Sequence, residues 1–164
     1  MNRLFLFLAL VLLRIGSYAQ YTLPSSYKPR SEFRDNESFL RYNFEEYKED
    51  YLGKEMGLLY MAYGNGIRFG NLSTSETTPW MEEDNRPYIE GVLISDRPLS
   101  DILCGKEYIS LHIDILSGKK RFPDDEFWHE MPDTLIFEAF LERTRRWMIR
   151  DIKVMKFQLP SVPK

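Results

Sequence analysis

The sequence predicts an α+β domain: a small, mainly antiparallel sheet of about four strands, packed by N-terminal and C-terminal helices. Three observations carry that prediction. Apolar and polar residues alternate from Tyr108 to Leu116, so Ile109, Leu111, Ile113 and Ile115 share one face of a strand. Tyr108, Ser110, His112 and Asp114 share the other. Leu40, Phe44, Tyr47 and Tyr51 recur at helical spacing, which marks one face of a helix. The elements run helix, helix, strand, strand, strand, helix, strand. Helices therefore flank the strands instead of alternating with them, against a doubly wound parallel sheet.

The chain opens on a predicted signal peptide at residues 1–19. Asn2-Arg3 is a short positive start, and Leu4 to Leu13 is an apolar run too short to span a bilayer. Ser17-Tyr18-Ala19 sets small residues before a cut that leaves Gln20 first. Residues 20–35 hold Pro24 and Pro29, lack periodicity and read as an extended segment. A single domain over 36–159 and a tail at 160–164 complete the expected organisation.

Within the domain the first helix is expected over Asn36–Leu52, with Asn36 capping its start and Gly53 ending it in a left-handed conformation. A second helix over Lys54–Tyr63 closes on a Gly64-Asn65-Gly66 turn. Strands are expected at Ile67–Leu72 and Tyr88–Ile94, separated by a long polar loop at 73–87. Asp96 is placed to cap a short helix over Pro98–Cys104, with Gly105 after it. After the strand at Tyr108–Leu116 come a Ser117-Gly118-Lys119 turn and an acidic, aromatic stretch. Asp133 then caps a helix over Thr134–Met148, whose inner stripe is Ile136, Phe140, Leu141, Thr144 and Trp147. Arg143, Arg145 and Arg146 suit the negative end of its dipole, and Ile152–Leu159 reads as the last strand.

Composition narrows the function classes. The chain has 164 residues, 43% hydrophobic and 29% charged, which is a folding composition. Its net charge of -3 falls to -5 once Arg3 and Arg14 leave with residues 1–19. That balance argues against nucleic acid as a partner. The single cysteine excludes an internal disulfide framework and a multi-cysteine zinc site. No membrane span is expected after signal cleavage.

No catalytic, metal or cofactor set emerges. Ser110, His112 and Asp114 are the residue types of a hydrolase triad, but same-face neighbours on a strand lie about 6.6–6.8 Å apart. A triad needs contacts of about 2.6–3.2 Å. The face reads instead as a polar sheet surface. Cys104 sits at a predicted helix C-terminus, where the dipole disfavours thiolate, and is expected as a buried small hydrophobe. Asp124, Asp125, Glu126 and His129 offer metal-ligand types, yet position 133 is Asp133 where a zincin needs histidine, and Pro132 disturbs its helix. Gly64-Asn65-Gly66 and Gly70 lack the dinucleotide spacing. Arg143, Arg145, Arg146, Arg150 and Lys153 form a basic patch suited to a local partner or to the helix dipole.

Tyr47-Lys48-Glu49-Asp50-Tyr51-Leu52-Gly53-Lys54, followed by Leu58-Leu59 behind a signal peptide, resembles the start of small exported Gram-negative proteins of unknown function. The resemblance implies an exported single domain and supplies no catalytic residues. The expected role is thus a non-catalytic binding domain in the periplasm or outside the cell, with another envelope or secreted protein as partner. Trp80 is the expected anchor of the contact, with Glu82, Glu83 and Asp84 as an acidic rim suited to a basic partner. Alternatives are an immunity-type inhibitor of a secreted toxin and a small hydrolase using His112 or His129.

Overall fold

The computed structural model of the chain describes residues 21–77, 88–116 and 133–160. The expected signal peptide lies outside them, as do Trp80, Glu82, Glu83, Asp84 and the 122–131 stretch with His129. Four strands form one antiparallel sheet: β1 (Asn71–Thr77), β2 (Tyr88–Ser95), β3 (Tyr108–Ile115) and β4 (Ile149–Phe157). The spatial order is β1-β2-β3-β4, so each strand pairs with its neighbour along the chain. The fold is α+β as the order of elements predicts.

Alternation sets the inner face of this sheet. Leu111 lies opposite Ile94 on one side and Val154 on the other, and Ile113 lies between Val92 and Ile152. All six are buried. A helical layer covers that face. It contains helix α1 (Asn36–Leu40), a π-helical turn (Arg41–Glu46), a short 3-10 turn (Lys48–Asp50) and helix α2 (Met56–Gly66). Phe39, Leu40, Phe44, Leu59 and Tyr63 supply its buried side chains. Helix α3 (Leu99–Leu103) follows β2, and helix α4 (Asp133–Thr144) precedes β4.

The first helix is shorter and more broken than its periodicity predicts. The Tyr47 amide donates to the Tyr42 carbonyl, five residues back, at 3.2 Å. One extra residue in that turn rotates Tyr47 out of the core, where it is 40% exposed and its ring stands 4.8 Å from that of Tyr42. Asp35 caps α1 instead of Asn36: its carboxylate accepts from the Ser38 amide at 2.8 Å and the Ser38 hydroxyl at 2.7 Å. Gly53 does adopt the left-handed conformation, with φ 69°.

Other boundaries move for local reasons. Gly64-Asn65-Gly66 form the last turn of α2, not a separate turn. Residues 71–77, not 67–72, form β1, so Ser73 to Thr77 of the expected loop are strand. These residues pair along one side with apolar β2, and sheet context overrides the loop-like composition. Helix α4 ends at Thr144 because Arg145 and Trp147 turn their carbonyls to the Gly57 and Met56 amides, both at 2.8 Å. Those bonds satisfy donors that the start of α2 would otherwise leave open. Cys104 is exposed at the end of α3 instead of buried.

Residues 21–35 pack onto the helical layer. The Tyr21 hydroxyl donates to Glu55 at 2.6 Å and the Tyr27 hydroxyl to the Ala62 carbonyl at 3.1 Å. Burial and the Glu55 carboxylate push the Tyr21 phenol up to about 12. A short 3-10 turn at Arg30–Glu32 then leads the chain to the end of the sheet, where it forms one wall of a cleft.

Candidate functional site

The cleft has a volume of about 350 Å³. Arg30, Arg34, Asp35, Asn36 and Glu37 form its N-terminal wall. Asp96 and Arg97, from the turn after β2, face them, and Glu107 just before β3, Tyr108 and Ile109 from β3, and Lys156 from β4 close it. Hydrogen bonds hold the walls together. Asn36 accepts from Arg30 Nε at 2.8 Å and donates to Asp96 at 3.0 Å, while the other Asp96 oxygen accepts from the Ile109 amide at 2.9 Å. Asp96 therefore ties three segments together and does not cap α3, whose first turn has no side-chain cap.

Four cations and four carboxylates line the cleft, and the carboxylates are already engaged. Seven of their eight oxygens hold a donor: both of Asp35, both of Glu37, both of Asp96 and one of Glu107. The Ser38 amide leads the set that holds Asp35 down at about 2. Lys156 and Arg41 lower Glu37, and Glu107 with Glu37 raises Lys156.

The arginines are less committed. A guanidinium carries five N–H donors. Arg30 uses Nε on Asn36 and Nη1 on the Phe33 carbonyl. Arg97 gives Nε to the Glu107 carbonyl at 2.7 Å, with Nη1 3.8 Å from Asp101. Arg34 gives only Nε, to Asp35, and its side chain is 91% exposed. Among the described residues nothing accepts from Nη2 of any of the three.

The second polar surface is the outer sheet face. Ser110 is 3% exposed, against the expectation that it stays open, because it lies mid-sheet between Ser95 and Met155. His112 is half-buried, and no hydrogen bond joins it to Ser110 or Asp114; its Nε2 has no partner among the described residues. Burial pushes the imidazole below its ordinary range, with Asp114 pulling the other way. The three triad types therefore share a face without forming a relay.

Of the basic patch, Arg150 and Lys153 pair with Asp114 at 3.5 and 3.9 Å, and Arg145 with Glu142 at 3.0 Å. Among the described residues no group of three or more His, Cys, Asp or Glu is arranged to hold a metal ion. No helix among them is long and apolar enough to cross a membrane.

The sequence reading did not single out Arg30, Arg34 or Arg97 as site residues. They come from separate segments that only the fold brings together, and the one local signal is a pair of arginines in a non-periodic stretch after Pro29. No protein-family model, no curated protein and no solved structure matches the chain.

Proposed function

We propose that this is a binding domain of the periplasm or the extracellular space, acting without catalysis, and that the cleft beside Arg97 is its recognition site. The observation that carries the reading is the donor surplus: three guanidinium groups face a cleft whose carboxylates already hold their own donors. Pre-set donors around a small concavity select a ligand without any chemistry on it. The outer sheet face supports the same reading, since Ser110, His112 and Asp114 have no mutual hydrogen bonds with which to activate a nucleophile. Export rests on the signal-like residues 1–19, and a partner in the envelope or outside the cell follows from export.

Affinity capture from an envelope fraction with wild-type chain and with Arg34→Ala/Arg97→Ala tests this. A partner retained by the wild type and lost by the folded variant supports the reading. Steady hydrolysis of ester or amide substrates that disappears in His112→Ala would replace it with a hydrolase. A captured toxin enzyme whose activity the chain blocks would narrow it to an immunity-type inhibitor.

A further inference from the structure

Resting on that reading, we infer that the cleft binds the free C-terminal carboxylate of a polypeptide partner. The uncommitted groups match the end of a peptide chain. A carboxylate has two coplanar oxygens, which a guanidinium grips through paired N–H bonds. Arg30 and Arg97 are each anchored through Nε, so their position is set before a ligand arrives. Anchoring of this kind lowers the ordering cost of binding.

Charge favours a carboxylate over a phosphate. The cations and carboxylates lining the cleft balance. For a dianion the attraction to the cations and the repulsion from Asp35, Glu37, Asp96 and Glu107 both double and offset each other, whereas the cost of taking the ion out of water rises more steeply than its charge, which favours the monoanion.

A second feature selects a peptide over a simple organic acid. The one carboxylate oxygen of the cleft without a protein donor, among the described residues, is the second oxygen of Glu107. Arg97 binds the backbone carbonyl of that same residue. A fork of donors beside a lone acceptor is complementary to a terminal carboxylate and the amide N–H of the last peptide unit. Tyr108, half-buried and stacked on Phe157 with centroids 5.5 Å apart, offers the last side chain an aromatic wall.

The probes are acetyl-Ala-Phe with a free carboxylate, the same dipeptide as its C-terminal amide, and 3-phenylpropionate. Binding is read from the 15N–1H resonances of Arg97, Tyr108 and Ile109. The free acid should shift these saturably, and the amide and 3-phenylpropionate should each bind about tenfold more weakly or worse. Arg34→Gln should weaken the free acid and leave the amide unchanged; its exposed position keeps the fold out of the result. Arg97→Gln should do the same more strongly, with melting temperature as its control.

Equal affinity for acid and amide overturns the carboxylate assignment while leaving the cleft a binding site. Equal affinity for 3-phenylpropionate overturns the peptide assignment. No shift with any probe overturns the inference, and the capture experiment then decides the binding reading by itself.

Discussion

The Asn43 side chain pairs with the backbone of Lys28 as a neighbouring strand would: Oδ1 accepts from the Lys28 amide at 2.9 Å, and Nδ2 donates to its carbonyl at 3.0 Å. The same Nδ2 donates to the Phe39 carbonyl at 3.2 Å. One buried side chain thus ties residues 21–35 to the helical layer at the level of the π-helical turn.

Asn43→Ala should therefore be severe. It leaves the part-buried Lys28 amide and carbonyl and the Phe39 carbonyl without their partner, and a fully buried group so orphaned costs about 1–3 kcal/mol. Denaturant unfolding should show a loss of about 2 kcal/mol or more, and the Lys28 amide should exchange much faster with solvent. A loss within about 0.5 kcal/mol, typical of a surface site, would show that the segment docks by its aromatic contacts alone.

Leu111→Ala probes the sheet. The side chain is fully buried between Ile94 and Val154, in the middle of β3. Its truncation should cost about 2–5 kcal/mol. A small change would mean that the helical layer collapses onto the space, which rigid packing across three strands opposes.

These two sites differ in how readable they were. Leu111 sits in a strict alternation, and one-face burial follows from a period of two, so the β3 core was legible. Asn43 was not, because its role depends on Lys28, fifteen residues away, and on a turn with one residue too many. Local spacing of Leu40, Phe44, Tyr47 and Tyr51 suggests a continuous helix, and only the five-residue hydrogen bond from Tyr47 back to Tyr42 shows why Tyr47 leaves the core. The cleft was illegible for the same reason: Arg97 and Glu107 meet through the pairing of β2 with β3, and Arg30 joins them through Asn36 and Asp96, none of which leaves a mark in the local pattern. Ser110 shows the limit of alternation, since a mid-sheet position buries a small polar side chain on either face.

Gly70→Ala tests how the cleft is positioned. The Gly70 amide donates to the Ser95 carbonyl at 2.9 Å, and a methyl group at Gly70 would run into the backbone of Arg97. Backbone cannot step aside as a side-chain tip can. The turn carrying Asp96 and Arg97 must move, at a cost of about 1–3 kcal/mol typical of overpacking. Gly53→Ala is the contrast: nothing lies near its added methyl, and only the left-handed φ of 69° opposes it, at about 1–2 kcal/mol. Chemical shifts of Arg97 and Ile109 should move in Gly70→Ala and stay in place in Gly53→Ala. Unmoved shifts in both would show that the turn is set by Asp96 alone.

His112 sets an acid limit on stability. Burial lowers its folded-state pKa below the ordinary 6.5, the attraction of Asp114 only partly offsets that, and Lys153 adds to the lowering. The unfolded chain, with a normal imidazole, takes up the proton first as pH falls. Stability contributed by the neutral side chain is thus fully present above about pH 6.5 and drains away below it, until the folded-state pKa is passed and both states are protonated. The carboxylates held low in the fold, Asp35, Glu37 and Asp151, act in the same direction but at lower pH. A comparison between about pH 7 and pH 5 therefore isolates histidine. His112→Leu removes the titration and keeps an apolar contact for Phe157, whose ring centroid is 6.2 Å away. The melting temperature of the wild type should fall faster than that of the variant over this interval, in a His129→Gln background that silences the other histidine. Parallel curves for the two proteins would mean that solvent reaches the imidazole freely in the folded state and that its burial carries no proton linkage.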